Sequence, residues 1–110
     1  MKNMEITSSE LKSKIENGEK LIVDFWAKWC GPCKVMKPTF DKISESLITE
    51  GKSVQMYTMD VEENRDMAVS LGIRAVPTVK AFSMGKEVFS QTGIQSDTQL
   101  KQLVENVING

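Results

Sequence analysis

Cys30 and Cys33 are the only cysteines of this 110-residue sequence, and only Gly31 and Pro32 separate them. A pair at this spacing is a structural disulfide, part of a metal site, or a redox centre. A structural zinc site needs four Cys or His ligands, and the chain has two cysteines and no histidine, so we predict no metal. Two cysteines are also too few for a disulfide scaffold, and thiols in a reducing compartment stay reduced. The pair is therefore best interpreted as a redox centre.

The residues on either side of the pair predict a strand that ends before it and a helix that begins at it. The run LIVDFW, residues 21–26, is apolar enough for a strand covered on both faces. Apolar side chains then recur at helical spacing, which predicts a helix over about 33–50. These side chains are Met36, Phe40, Ile43 and Leu47. Pro38 lies inside this helix and predicts a kink.

Cys30 is therefore expected at a helix N-terminus, where unpaired N–H groups and the helix dipole favour a thiolate. Cys33 follows one turn later, at about 5 Å between Cα atoms, which is within reach of a disulfide. We expect the first sulfur to be exposed and nucleophilic, and the second to be more buried and to resolve a mixed disulfide. Gly31 permits the turn, Pro32 suits a first helical turn, and the absence of charge on both favours a reductant.

Asp24 is the one acid within the apolar LIVDFW run. In one interpretation the strand is frayed or one-sided, and the carboxylate simply meets water. In the other the carboxyl is buried, burial raises its pKa, and the acid lies near Cys33. A buried acid there would accept the Cys33 proton during resolution and return it later. We favour the second interpretation because both flanks of Asp24 are apolar.

Trp26 and Trp29 flank the same turn. An indole beside a reactive thiol shields it or offers a contact surface. We expect Trp26 to pack and Trp29, which is adjacent to Cys30, to share in substrate contact. The seven methionines are interpreted as flexible core residues, apart from the initiating Met1.

The pattern along the whole chain predicts the order helix, strand, helix, strand, helix, strand, strand, helix, with room for a short strand at residues 3–6. Two capping boxes and one further cap mark helix starts, and Gly72 ends the third helix. The expected helices cover 8–17, 33–50, a segment between 64 and 72, and 96–108, and the strands cover 21–26, 53–61, 78–82 and 87–92. The capping residues are Thr7 with Glu10, Asn64, and Ser96 with Gln99.

This alternation predicts an α/β fold in a single domain over residues 1–110. The central β-sheet is mixed, with a parallel core plus an antiparallel C-terminal hairpin, and four helices flank it on both faces. The length supports one hydrophobic core region and is too short for two domains.

Composition restricts the partners of the protein. The formal net charge is −1, so there is no electrostatic reason to expect nucleic acid or an anionic membrane. No segment approaches the ~18 apolar residues of a membrane helix, and the start shows neither a signal-peptide run nor an Arg-rich transit segment. We therefore expect a cytoplasmic protein, monomeric by default.

The sequence resembles the thioredoxin family from end to end. The resemblance rests on DFWAKWCGPCK at residues 24–34, Pro38, GIRAVPT at residues 72–78, and Gly93. It implies the thioredoxin fold and a protein disulfide reductase in which Cys30 is the nucleophile, Cys33 the resolving thiol and Asp24 the buried proton acceptor. It also implies a cis bond before Pro77, which few X-Pro bonds adopt, and exposure of the Val76 backbone to an extended substrate. The docking face would consist of Trp29, Gly31, Pro32, Val76, Pro77 and Gly93.

Three positions depart from the pattern common in bacterial thioredoxins. Thr58 stands where these carry a lysine near the buried aspartate, and loss of that cation would favour a higher pKa for Asp24. Ala75 and Thr92 replace other common residues on the docking face, which affects partner preference and leaves the dithiol chemistry unchanged.

We predict a thiol–disulfide oxidoreductase that reduces disulfides in client proteins through Cys30 and Cys33. It would bind no cofactor beyond its redox-active disulfide, and a thioredoxin reductase or equivalent donor would recharge it, because the sequence has no nucleotide or flavin motif. The alternatives are a thioredoxin-fold subunit that binds a partner without turnover, and an oxidase or isomerase.

Overall fold

The computed structural model describes residues 4–110. Its elements follow the predicted order of helices and strands. They are α1 (Ser8–Glu16), β1 (Leu21–Trp26), α2 (Gly31–Thr49), β2 (Gln55–Asp60), α3 (Arg65–Ser70), β3 (Thr78–Ser83), β4 (Lys86–Thr92) and α4 (Asp97–Asn109). Within the described residues, no helix is both long enough and apolar enough to cross a membrane.

The four strands form one mixed sheet in the order β2-β1-β3-β4. β1 pairs with β2 in parallel, whereas β3 runs antiparallel to both β1 and β4. The prediction of a parallel core with an antiparallel C-terminal hairpin is therefore confirmed. The prediction of a short strand at 3–6 was wrong for residues 4–6, where a single parallel bridge joins Glu5 to Thr58. Asn3 lies outside the described residues.

Two apolar layers pack on opposite faces of the sheet. Side chains alternate along a strand, so Ile22 of β1 faces α2 and α4, whereas its neighbours Leu21 and Val23 face α1 and α3. The apolar stripes of α2 and α4 complete the first layer with residues Met36, Phe40, Ile43, Leu47, Leu100, Leu103, Val104 and Val107. Helices therefore cover both faces, as the unbroken apolar character of β1 predicted.

The helix ends confirm most of the capping predictions. Thr7 with Glu10 and Ser96 with Gln99 form complete capping boxes at α1 and α4. Gly72 follows α3 with a φ of +74°, a conformation that glycine adopts at little cost.

The prediction that Asn64 caps α3 was wrong. Asn64 occupies the N-cap position, but its side chain makes no capping hydrogen bond. Its Oδ1 instead accepts from the backbone N and the Oγ of Ser8, at 2.9 and 2.7 Å, and so ties the start of α3 to the start of α1.

α2 begins at Gly31, two residues earlier than predicted, and continues to Thr49 as one helix with Pro38 inside it. The kink at Pro38 stays a prediction. The interpretation of the methionines as core residues holds for Met36, Met56 and Met59, which are buried, and was wrong for Met84. Met84 lies in the β3–β4 turn with a φ of +55° and is 79% exposed.

Candidate active site

Cys30 and Cys33 form a disulfide at the start of α2, with 5.3 Å between their Cα atoms. Cys30 is the N-cap residue, and its Sγ accepts a hydrogen bond from the backbone N of Cys33 at 3.1 Å. The first turn of α2 contains no acidic residue. The sulfur of Cys30 thus lies among the N–H groups at the positive end of a 19-residue helix, where negative charge is stabilised.

The expected difference in exposure between the two cysteines is not present in the oxidised pair. Cys30 is 3% exposed and Cys33 is 4% exposed, so the prediction of an exposed first sulfur was wrong for this state. Both cysteines belong to a small apolar cluster against which Trp26, Val61 and Val76 pack. These neighbours cover the disulfide and surround it with apolar surface.

Asp24 is buried in the α2-facing layer of β1, on the same face as Ile22. It is 2% exposed, and its Oδ1 has no hydrogen-bond partner within residues 4–110. Asp24 and Cys33 line a common cavity of about 700 Å³. The interpretation of Asp24 as a frayed, solvated strand residue was therefore wrong.

Burial raises the pKa of Asp24 to about 7. The negative charge of Asp41 adds to this rise, the ammonium of Lys37 opposes it, and the carboxylate of Glu5 adds to it. The largest cause is desolvation, because a charged carboxylate loses its hydration in an apolar layer. The group consequently changes its charge near neutral pH, which suits proton transfer with a thiol.

Glu5 is a second carboxylate at this cavity, and the sequence reasoning missed it. Its Oε1 accepts from the indole Nε1 of Trp26 at 2.9 Å and from the Oγ1 of Thr58 at 2.6 Å. Its Oε2 accepts from the backbone N of Asp60 at 2.7 Å. The one available signal was a charged residue beside Ile6 in a segment that was expected to pair as a strand.

Thr58 lies opposite Asp24 in the parallel register of β1 and β2. Its hydroxyl donates to Glu5. Thr58, which stands where many bacterial thioredoxins carry a lysine, therefore binds a second carboxylate, that of Glu5, near Asp24.

All of the residues predicted for docking except Pro77 are at least partly exposed. Trp29 is 69% exposed, and its Nε1 donates to Oε2 of Glu62 at 2.8 Å. Gly31 and Pro32 are exposed, whereas Val76 and Gly93 are half-buried and Pro77 is buried. The contact of Trp29 with Glu62 was not foreseen, because the two residues are 33 positions apart.

The loop before β3 joins the loop after β4 beside the disulfide. The Val76–Pro77 peptide bond is cis. The carbonyl of Pro77 accepts from the backbone N of Gly93 at 2.8 Å, and Gly93 has a φ of +100°. Because Val76 packs against the cysteine cluster, this junction and the start of α2 form one continuous surface.

Comparison with known proteins shows which family the chain belongs to. The thioredoxin family model matches residues 2–106. A thioredoxin of Rickettsia conorii is 36% identical over 108 residues, covering 98% of this chain and all of the relative. The crystal structure of a Malassezia sympodialis thioredoxin has a TM-score of 0.84 at 30% identity, covering 97% of this chain and 91% of the other. The oxidised form of a mitochondrial thioredoxin from Saccharomyces cerevisiae has a TM-score of 0.80 at 28% identity, covering 94% of each chain.

The fold and the bonded cysteine pair define a thiol–disulfide oxidoreductase of the α/β class. The chain belongs to the thioredoxin family. The prediction of a thiol–disulfide reductase is confirmed, and the alternative of a subunit that binds without turnover is not favoured.

Proposed function

We propose that Cys30 and Cys33 reduce protein disulfides by two successive exchanges. The thiolate of Cys30 attacks one sulfur of a client disulfide, forms a mixed disulfide and displaces the second client sulfur as a thiolate. Cys33 then attacks Sγ of Cys30, which forms the Cys30–Cys33 bond and releases the first client sulfur. The client gains two electrons and the pair loses two. The observation that carries this assignment is the position of Cys30 as the N-cap of α2.

Asp24 is proposed as the group that takes the proton of Cys33. Resolution requires the Cys33 thiolate, and the thiol proton needs an acceptor in a buried site. Asp24 lines the same cavity as Cys33, its Oδ1 has no other partner in the described part of the chain, and burial raises its pKa to about 7. The protonated carboxyl of Asp24 then returns the proton to Cys33 as the pair is reduced again.

The proposed docking face consists of Trp29, Gly31, Pro32, Val76, Pro77 and Gly93. The exposed indole of Trp29 offers apolar area at the residue next to Cys30, and Val76 packs against the apolar cluster that contains the disulfide. An extended client segment would pair with the backbone of Val76 while its sulfur meets Cys30.

The proposed partners are disulfide-containing client proteins and a thioredoxin reductase or equivalent electron donor. One yeast structure in this family has been described in connection with thiol resolution in a mitochondrial 1-Cys peroxiredoxin by glutathione and thioredoxin systems, which is an example of such a client. The protein would act as a monomer in the cytoplasm, because a dithiol reductant needs a reducing compartment. Its electrons would pass through the redox-active disulfide without a bound cofactor, metal, nucleic acid or membrane partner.

The test is an insulin reduction assay with dithiothreitol as the donor. The wild-type protein should accelerate insulin precipitation, and Cys30→Ser should abolish the acceleration, because no attacking sulfur remains. Cys33→Ser should instead accumulate a mixed disulfide that non-reducing electrophoresis with mass spectrometry identifies at Cys30.

Two outcomes would contradict this assignment. Equal acceleration by wild type and Cys30→Ser would remove the pair from the reaction. A reduction potential well above that of the cytosolic glutathione pool, measured by equilibration with glutathione, would favour the oxidase or isomerase instead.

A further inference from the structure

Glu5 joins its own segment to two strands, β1 and β2, beside the active-site cavity. Its carboxylate accepts from Trp26 at the end of β1, from Thr58 in the middle of β2, and from the backbone of Asp60 at the end of β2. Three donors to one carboxylate match the acceptor-only chemistry of the ionised form. The charge of Glu5 is therefore fixed in place by contacts that are 21, 53 and 55 positions away in the sequence.

The fixed carboxylate faces the same cavity as Asp24. Thr58 is the strand partner of Asp24 in the β1–β2 register, and its hydroxyl donates to Glu5. Glu5, Thr58, Asp24 and Cys33 all line the cavity. Glu5 is half-buried and Asp24 is buried, so their charges are screened less than charges in bulk water, and the two carboxyl groups interact.

Other charged groups surround Asp24 as well. Asp41 on α2 acts in the same direction as Glu5, and Lys37 on α2 acts in the opposite direction. Lys37 is also paired with Asp41 at 2.8 Å and is exposed to solvent, so its charge is partly compensated and screened. The remaining charged side chains that line the cavity are Lys28, Lys34, Asp60 and Glu63.

We propose that Glu5 is a positioning residue of the disulfide exchange, whose fixed negative charge makes Asp24 a stronger base toward the thiol of Cys33. The proposal rests on the role of Asp24 in the proposed function. Glu5 itself touches neither sulfur nor client, and acts through Asp24. Removal of its charge weakens Asp24 as a base and lets it ionise at lower pH, because one like charge is lost.

The experiment compares Glu5→Gln with wild type in two measurements. The carboxyl ¹³C resonance of Asp24 is titrated by NMR, and the resolution rate is measured against pH by quenched flow with a disulfide-bonded peptide. We expect both midpoints to fall by about half a pH unit or more, and the rate above the midpoint to fall about twofold. Glu105→Gln, on the exposed face of α4, removes an equal charge from a residue that does not line the cavity, and should change neither measurement.

Two further variants separate this proposal from its alternatives. In the Asp24→Asn background, Glu5→Gln should no longer alter the pH profile. Glu5→Asp keeps the charge, and its midpoints should stay closer to wild type than those of Glu5→Gln, with folding checked by circular dichroism. A purely structural Glu5 would lower stability without moving the Asp24 titration.

An unchanged Asp24 titration in a folded Glu5→Gln variant would overturn the proposal. If the Asp24 titration shifted while the pH profile of the resolution rate stayed unchanged, Asp24 would not take part in resolution, and Glu5 could not act through it. The failure of the Glu5 proposal and the failure of the Asp24 assignment therefore give different results.

Discussion

Asp24 lies in β1 on the same face of the sheet as Ile22, and 2% of its surface is exposed. Burial raises its pKa from the ordinary 3.8 to about 7. The folded protein therefore binds a proton that the unfolded chain has already released between about pH 4 and pH 7. The contribution of Asp24 to the free energy of unfolding therefore falls as pH rises through this window and then levels off, since above pH 7 this group is ionised in both states.

Replacement of Asp24 by Asn should remove this dependence. At pH 8 we expect Asp24→Asn to increase the free energy of unfolding by a few kcal/mol, at most about 4, because the cost of the buried charge disappears. At pH 4 the variant and the wild type should differ little, since the wild-type carboxyl is neutral there. Urea titrations at both pH values, followed by circular dichroism, measure the difference. A gain at pH 4 equal to the gain at pH 8 would contradict the assignment of the effect to ionisation.

The reactive residues could be predicted from the sequence because their signals are local. The two cysteines, the residues between them and the acid in an apolar run lie within ten consecutive residues, 24–33. Glu5 could not be predicted, because its role depends on donors from β1 and β2 that the fold brings to it. The burial of Cys30 was also missed, since Val76 and Val61 reach it from segments distant in sequence.

At the scale of elements, α2 connects the chemistry to the core. Its first residues hold the sulfur of Cys30 among free N–H groups, and its apolar stripe from Met36 to Leu47 lies against the sheet. The reactive end of the helix is therefore placed by packing interactions that extend over several turns. This arrangement explains why Gly31 and Pro32 at the first turn are exposed while Cys33 is buried.

α4 covers the same face as α2 and depends on its cap for a defined start. The Oγ of Ser96 accepts from the backbone N of Gln99 at 3.1 Å, and the Oε1 of Gln99 accepts from the backbone N of Ser96 at 2.8 Å. We expect Ser96→Ala to lower the free energy of unfolding by about 1 kcal/mol. Thr98→Ala, at an exposed position in the same turn, is the matched control and should change it by less than about 0.5 kcal/mol. Equal losses in the two variants, measured by urea unfolding, would show that the cap is not the cause.

Element order could be predicted because apolar periodicity and caps are properties of short segments. The boundaries of α1 and α4 followed from their capping boxes. Asn64 shows the limit of this reasoning, because the same residue type that caps a helix also accepts from Ser8 across 56 positions. Glu5 shows another limit, because a strand was predicted at residues 3–6, whereas a single bridge between Glu5 and Thr58 is formed there.

At the scale of the whole molecule, two apolar layers on opposite faces of one sheet hold the fold. Each fully buried aliphatic or aromatic side chain contributes about 1.5–3 kcal/mol. The Cys30–Cys33 bond closes a very short loop, and so constrains the unfolded chain less than a long loop would. The fold should therefore persist in both redox states, as a protein that alternates between them requires.

Reduction of the pair should lower the free energy of unfolding by about 2 kcal/mol while leaving the folded structure intact. Urea unfolding of the oxidised protein and of the dithiothreitol-treated protein measures this difference at one pH. Cys33→Ser cannot form the bond, so dithiothreitol should not alter its transition. Loss of the far-ultraviolet circular dichroism spectrum on reduction alone would show that the disulfide, and not the two layers, maintains the fold.

The sulfur that would carry a client belongs to the cap of a 19-residue helix. A client joined to Cys30 is consequently attached to the end of a helix and not to a flexible loop. Any mechanical load from that client passes along the axis of α2 into the interlocked side chains around Phe40 and Leu47. The packing of α2 thus restricts the motion of Cys30 in the covalent complex and keeps Cys33 close to it while the client is bound.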